Sequence, residues 1–360
     1  MGKKSKSSSK KHKGGRTRAL VQISDFVSTK THECSDFING SVCSDKNILN
    51  AIVMFHNDQS IQNGQNEQPL QNGQNEQPLR SESDAYANGS DAYANGNDNQ
   101  LKLTIVKQSL DGAKQILKCD SESCVVSHPT FQKFAIKNKI ASNSELEENL
   151  DTRFKIEGPR NSTAWLSNYD IDKTLEDWAF KFEDFFPCPF AMIDFDRMGD
   201  PLHRYNMHDI YNGKYKKNTI MGAVKLPCRT FGCAINTDVT AGKGKHWMCV
   251  FVDMRGSDVW TIEFFNSTGA PPQKSIVNWM KKTKENLEDY LNQIGKKIKV
   301  EIIITSHLEH QESNTECGLY TLFYIRARIE NVPYDRFLKV EIPDENMIEF
   351  RKHCFRAPSN

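Results

Sequence analysis

No stretch of this 360-residue chain approaches the roughly 20 consecutive apolar residues that a membrane-spanning helix requires. A soluble protein with no membrane partner is therefore expected. The opening MGKKSKSSSKKHKGG also lacks the apolar run of a secretory signal. Net charge is small, since 47 basic residues against 46 acidic ones leave +1. Cysteine is not dense: ten copies scattered along a long chain exclude a small disulfide scaffold and suggest a reducing compartment. Cys119/Cys124 and Cys228/Cys233 are each spaced C-x4-C, but the spacing is loose and no matching histidine pair follows, so a zinc site is not expected.

What is present is unevenly distributed. Lys3, Lys4, Lys6, Lys10, Lys11, Lys13, Arg16 and Arg18 make residues 1–18 a basic, disordered tail. It is suited to nucleic acid, an acidic partner or an import receptor, or is simply solvated. QNGQNEQPL then occurs twice in tandem (62–70 and 71–79) and SDAYANG twice (83–89 and 90–96). Polar repeats of this kind cannot bury enough surface to offset their ordering entropy, so residues 58–100 read as a disordered linker. Between tail and linker, residues 19–57 carry Leu20, Val21, Ile23, Phe26, Ile48, Ile52, Val53 and Phe55, enough for an N-terminal arm docked on the rest. Removing residues 1–100 is expected to leave the fold standing. Residues 101–160 form an extension of the globular part, and 161–360 the principal domain.

Within that domain helical and strand-like stretches alternate. TLEDWAFKFEDFF (174–186) is amphipathic, with Leu175, Trp178, Phe182 and Phe185 on one side. HWMCVFVD (246–253), VWTIEFF (259–265) and KVEIIITS (299–306) have the β-branched and aromatic content of strands. SIVNWMKKTKENLEDYLNQI (275–294) reads as a long helix begun after Pro271-Pro272 and stopped at Gly295. The order strand, strand, helix, strand, helix is an α+β layout.

The final helix raises a chemical question. HQESNTECGLYTLFYIRARI (310–329) passes from polar residues to a helix-periodic apolar run, with Cys317 at the seam. Free N–H groups and the positive end of the helix dipole favour a thiolate there, although a free cysteine is also a good small core residue. A nucleophile needs a base, and His246 stands at a strand start behind the flexible-looking segment TAGKGK. A third group must fix the imidazole tautomer. Asp253 lies about 23 Å along the same strand, at about 3.3 Å per residue, and is too far. Asn266 fits better: an odd-length loop centred on Gly256 would set it directly opposite His246, whereas a two-residue turn at Gly256-Ser257 would turn it away. An ordinary turn asparagine is the alternative. Gln311, six residues before Cys317, can aim an amide N–H at the oxygen of an attacked carbonyl, or be merely solvated.

The combination GKHW, then FFN, then QESNTECG resembles the H-W…D/N…Q-x5-C-G pattern of the adenovirus-protease and SUMO-protease superfamily of cysteine peptidases. AWLSNYDID (164–172) is similar to the W-L-x-x-x-x-I segment that opens those catalytic domains. The resemblance implies a papain-like α+β catalytic domain, with a central mixed sheet flanked by helices, in addition to the arm and the linker. It further implies His246 as base, Asn266 as its orienter, Cys317 as nucleophile and Gln311 as oxyanion donor, with no metal or organic cofactor. Trp165 and Trp247 would close a slot over the substrate that only glycine-like residues pass. Asn266 in place of the Asp usual in cellular SUMO proteases leans toward the maturation proteases of large DNA viruses, of the poxvirus and African swine fever virus type. The expected partner is then a protein substrate, either a virion polyprotein cut after Gly-Gly or Gly-Ala-like pairs or a ubiquitin- or SUMO-like conjugate. The expected location is the virion and host cytoplasm, or the cytoplasm or nucleus if the chain is cellular. A basic nucleic-acid-binding scaffold with a vestigial protease fold is the alternative from another class.

Overall fold

The computed structural model describes residues 21–28, 43–62, 96–119, 121–159, 163–199, 201–219, 222–305 and 307–356. The basic tail, the tandem repeats over 63–95 and the disorder expected of both lie outside them.

Five helices come first: α1 (Lys46–Gln62), α2 (Gly96–Leu117), α3 (Glu122–Ser127), α4 (Pro129–Lys137) and α5 (Asn143–Arg153). They share an apolar core of their own, made by Ile48, Ile52, Phe55, Leu110, Val125 and Phe131. Phe55 meets Phe131 and Phe134 edge-on, with ring centroids 5.7 and 5.4 Å apart. The buried Glu122 carboxylate accepts the backbone N–H groups of Cys43 and Ser44 at 2.9 and 2.7 Å, which fixes the entry to α1. Cys119 and Cys124, brought to a Cα separation of 5.5 Å where α2 gives way to α3, form a disulfide, where the cysteine usage had suggested a reducing compartment. The interval assigned to the linker is shorter at both ends than expected, because α1 continues to Gln62 and α2 begins at Gly96.

The second part begins with β1 (Ile156–Glu157) and α6 (Asn168–Lys181). Ser167 caps α6 by a reciprocal box with Asp170. β2 (Phe185–Met192) follows, so Phe185, expected on the helix, lies in a strand. The helix stops at Lys181 because Phe182 turns to extended backbone. Short helices α7 (Phe195–Met198), α8 (Pro201–Arg204) and α9 (Met207–Tyr211) lead to a hairpin of β3 (Lys216–Thr219) and β4 (Gly222–Lys225). Next come β5 (Thr230–Asn236), β6 (Trp247–Asp253), β7 (Val259–Phe265), α10 (Lys274–Gln293), β8 (Lys299–Thr305), α11 (Cys317–Ile329), α12 (Arg336–Lys339), α13 (Asp344–Cys354) and β9 (Phe355–Arg356), which pairs with β1.

The central sheet has the order β2-β5-β6-β7-β8, with parallel outer pairs and antiparallel inner ones. Both faces are covered, as the uninterrupted burial of β5 and β6 requires. Alternation along β6 sends Trp247, Cys249 and Phe251 into one core and Met248, Val250 and Val252 into the other. α10 closes the second face through Ile276, Met280 and Leu287. α6, α11 and α13 close the first.

The segment 21–28 also belongs to that first face. Ile23, Phe26 and Val27 are buried in it, with the Phe26 ring 5.5 Å from Phe323 and 5.1 Å from Phe337. The segment expected to dock as one arm over 19–57 is therefore split, its first residues completing the main core and its last ones forming α1. The expectation that the fold stands without residues 1–100 therefore meets core side chains within that span, in segment 21–28 and in α1.

Candidate active site

β6 runs antiparallel to β7 and β8 parallel to it, so the start of β6 and the ends of β7 and β8 meet at one edge of the sheet. His246 immediately precedes β6, Asn266 immediately follows β7, Gln311 lies in the loop after β8, and Cys317 opens α11. The topology alone gathers all four.

The His–Asn pair is made, by a different register from the one expected. Cys249 pairs with Phe265 and Asp253 with Thr261, so the connecting loop is centred on Ser257 and not on Gly256. Asn266 falls beside Met248, one diagonal step from His246, on the same face because the loop is still odd. Leaving the strand in a turn, closed by Gly269 N–H on the Asn266 carbonyl at 3.1 Å, Asn266 reaches the imidazole. His246 Nε2 and Asn266 Oδ1 are 2.8 Å apart. The amide orientation is fixed because Asn266 Nδ2 donates to the Ala270 carbonyl at 3.2 Å, while Thr268 N–H and Oγ1–H donate to Oδ1 at 3.2 and 3.0 Å. An amide oxygen only accepts, so Nε2 carries the proton and Nδ1 is left with the lone pair.

The loop that delivers His246 is pinned, unlike the flexible segment expected from TAGKGK. Asp238 accepts Val239 N–H, Gly244 N–H and Lys245 Nζ at 3.0, 3.2 and 3.0 Å, and Asn236 Oδ1 accepts Lys245 N–H at 3.0 Å. Asp253, excluded on distance, is engaged elsewhere, accepting Arg255 and Arg328 at 2.7 and 2.9 Å.

Cys317 is 2% exposed. Burial pushes its thiol upward from the ordinary value, and the N–H groups of Trp247, Gly318 and Cys317 itself pull it partly back, while the neighbouring Glu316 carboxylate adds to the rise. The helix-start expectation of a lowered pKa is thus reversed, because desolvation of the anion outweighs the amides. The amide of Trp247 comes from the residue after His246, which ties the base-bearing strand to the sulfur. Sequence inspection considered only the indole of Trp247 and missed this backbone donor, for which a sequence carries no signal.

Gln311 is buried, not solvated. Its Oε1 accepts Ser267 Oγ–H at 2.7 Å and its Nε2 donates to the Ser313 carbonyl at 2.8 Å, leaving a second amide hydrogen. The two tryptophans are unequal. Trp165 is 49% exposed, whereas Trp247, expected at the cleft rim, is 5% exposed and packs edge-on to Phe190. They are linked through Leu166, whose carbonyl accepts the Trp247 indole N–H at 3.0 Å. A Cβ added to Gly318 would stand 3.0 Å from the Leu166 side chain, so the glycine after Cys317 lets the 164–167 segment lie against the first turn of α11. Among the described residues no cluster of His, Cys, Asp and Glu could hold a metal.

A thiol in a nest of amides, an imidazole of fixed tautomer and a tethered primary amide are a set of parts for acyl transfer through sulfur. The comparisons agree. The Ulp1 protease family model for the C-terminal catalytic domain matches residues 234–358. The cysteine protease of a Malawi tick isolate of African swine fever virus is 45% identical over 243 residues, which cover 68% of this chain and 85% of that one. The counterpart from a Kenyan pig isolate, named a SUMO-1 cysteine protease, has the same identity and coverage. A crystal structure of the African swine fever virus protease superposes with a TM-score of 0.52 at 42% sequence identity, covering 73% of this chain and 91% of that one. Identical at 45% of the 243 positions it shares with most of a viral cysteine protease, this chain is a cysteine peptidase and belongs to the Ulp1-type protease family.

Proposed function

We propose that the chain is an endopeptidase in which Cys317 is the nucleophile, His246 the general base, Asn266 its orienter and Gln311 the oxyanion donor, and that it cuts virion polyproteins after Gly-Gly or Gly-Ala-like pairs. The observation that carries this is the 2.8 Å His246 Nε2–Asn266 Oδ1 contact beside a cysteine at a helix start. The Cys317 proton passes to His246 Nδ1 as sulfur adds to the substrate carbonyl carbon. The oxyanion takes the free Gln311 amide hydrogen and a backbone N–H. Imidazolium then returns the proton to the leaving nitrogen as the C–N bond breaks, and a thioester remains. Water adds to the thioester with its proton taken by the same Nδ1, and the thiol is restored when the C–S bond breaks. The fixed tautomer supports the assignment of Nδ1 as the base.

Small residues are expected because the Trp165–Leu166 segment, joined to Trp247 by the indole–carbonyl bond, lies against Gly318 next to Cys317, and a residue without Cβ approaches such a segment most closely. Virion and host cytoplasm are the locations this substrate implies. The name of the Kenyan-isolate relative favours a second reading, in which the bond cut joins a SUMO-like modifier to its target. A vestigial scaffold has the assembled His–Asn pair and the tethered Gln311 against it. The test incubates the protein, wild type beside Cys317→Ser, with virion polyproteins, modifier-tailed fusions and a peptide series varied at the two residues before the cut. Cleavage of polyprotein by wild type alone, with bulky residues refused, supports the proposal. Equal turnover of bulky and glycine peptides defeats the specificity, and cleavage of modifier fusions alone moves the assignment to the second reading.

A further inference from the structure

Ser267 stands between the two halves of the site and is tied to both. It follows Asn266 directly, it is 1% exposed, and its hydroxyl donates to Gln311 Oε1 at 2.7 Å. Its carbonyl accepts the N–H groups of His310 and Gln311 at 2.8 and 3.1 Å. A glutamine amide can be turned over with little change of shape, exchanging donor for acceptor. The sense it takes, and how firmly it is held, depend on the partners of its two ends. The Ser313 carbonyl, which can only accept, sets the sense by taking Nε2–H, and Ser267 Oγ–H then gives its proton to Oε1 and anchors that end. A flipped amide would set its N–H2 against the hydroxyl and its oxygen against the Ser313 carbonyl, losing the second contact outright.

We infer that Ser267 is a positioning residue for catalysis: through its hydroxyl it anchors the oxygen of the Gln311 amide, whose sense the Ser313 carbonyl sets, and through its backbone it locks the oxyanion loop to the turn that carries Asn266. The inference rests on the role proposed above for Gln311. The base orienter and the oxyanion donor are thus set by adjacent residues of one turn, so a displacement at 266–268 moves both.

The experiment is a double-mutant cycle on the full chain with a cleavable peptide. Ser267→Ala should lower kcat about tenfold with KM little changed, the scale of one lost hydrogen bond felt in the transition state. In a Gln311→Ala background the same substitution should cause no further loss, since there is no amide left to orient. Ser267→Cys, close in shape and a weaker donor, should fall between wild type and Ser267→Ala, and it stands in if the alanine variant fails to fold. Iodoacetamide labelling of Cys317 should stay at the wild-type rate in Ser267→Ala. Equal losses in both backgrounds, or a loss confined to KM, would overturn the positioning role. A Gln311→Ala variant of full activity would instead sink the oxyanion assignment itself, so the two failures are told apart.

Discussion

In the mechanism proposed above, replacing Asn266 by alanine isolates what an uncharged orienter contributes. Asn266 is 4% exposed and its Oδ1 accepts His246 Nε2–H at 2.8 Å, with Thr268 sharing the same oxygen. In the resting enzyme this is a neutral bond, with a net contribution of about 0.5–1.5 kcal/mol. When the imidazole takes the thiol proton the bond becomes charge-assisted, and such bonds contribute about 1.5–3 kcal/mol. The part that acts on rate is the difference between these values together with the loss of a fixed ring orientation. Asn266→Ala should therefore lower kcat by about 10- to 100-fold, each 1.36 kcal/mol being tenfold. His246→Ala and Cys317→Ser should lose about 10³- to 10⁶-fold, as when a nucleophile–base unit is broken. Stability should fall too, by about 1–3 kcal/mol, because the Thr268 N–H and the Ala270 carbonyl lose their buried partner. Peptide turnover at 25 °C, with urea melts of the same samples, measures both. A folded Asn266→Ala within twofold of wild type would refute the role of Asn266, and a loss equal to that of His246→Ala would mean the amide does more than orient.

Four further outcomes follow from burial. Arg328 donates from Nε to Glu263 Oε2 at 2.8 Å, and Glu263 is fully buried in β7 under α11; Arg328→Met strands that carboxylate and should destabilise by about 3–5 kcal/mol in urea melts. Phe26→Ala should lose about 3–5 kcal/mol, and removal of residues 1–30 should lower the melting temperature sharply, since the ring completes the core against Phe323 and Phe337. Burial holds His310 down to about 4, so the fold keeps it neutral while the unfolded chain protonates near 6.5. That stability is complete above 6.5 and is lost as pH falls toward 4, about 3 kcal/mol in all, and His310→Gln should flatten the urea-melt pH profile over that window. In His246→Ala, iodoacetamide labelling of Cys317 should keep rising through pH 9 without a plateau, and Glu316→Gln should speed it at fixed pH, because burial and then that carboxylate oppose the thiolate.

Legibility in the sequence followed the range of the forces involved. β7 and the start of α11 were readable to the residue, because β-branched content and helical periodicity are local. β2 and β5 were not anticipated: PCPFAM and TFGCAIN contain proline and glycine, and only partners on either side make them strands. The burial of Phe26 against Phe337 depends on a contact between residues more than 300 apart, which no local pattern reports. The His246–Asn266 pair survived a register error of two because side chains alternate with period two, so parity alone decides the face. The sign of the Cys317 shift was missed for the converse reason. The helix start is visible in sequence, while the depth at which it is buried is a property of the whole fold.

That depth bears on how the site selects. The segment against Gly318, the residue after Cys317, is held by two contacts: the Leu166 carbonyl bonded to the Trp247 indole, and the Leu166 side chain seated against Gly318. Both side chains are buried, Leu166 at 3% and Trp247 at 5% exposure, and neither swings aside freely. On the specificity proposed above, a substrate fits the approach as it stands, and an added Cβ near the attacked carbonyl presses on close-packed atoms. Gly318→Ala would press on the same segment from beneath, with its new Cβ 3.0 Å from Leu166. The proposed exclusion of bulky residues and the tight fit at Gly318 then share one contact. A preference set this way is all-or-none in side-chain size and indifferent to side-chain charge, which distinguishes it from recognition by a charged pocket.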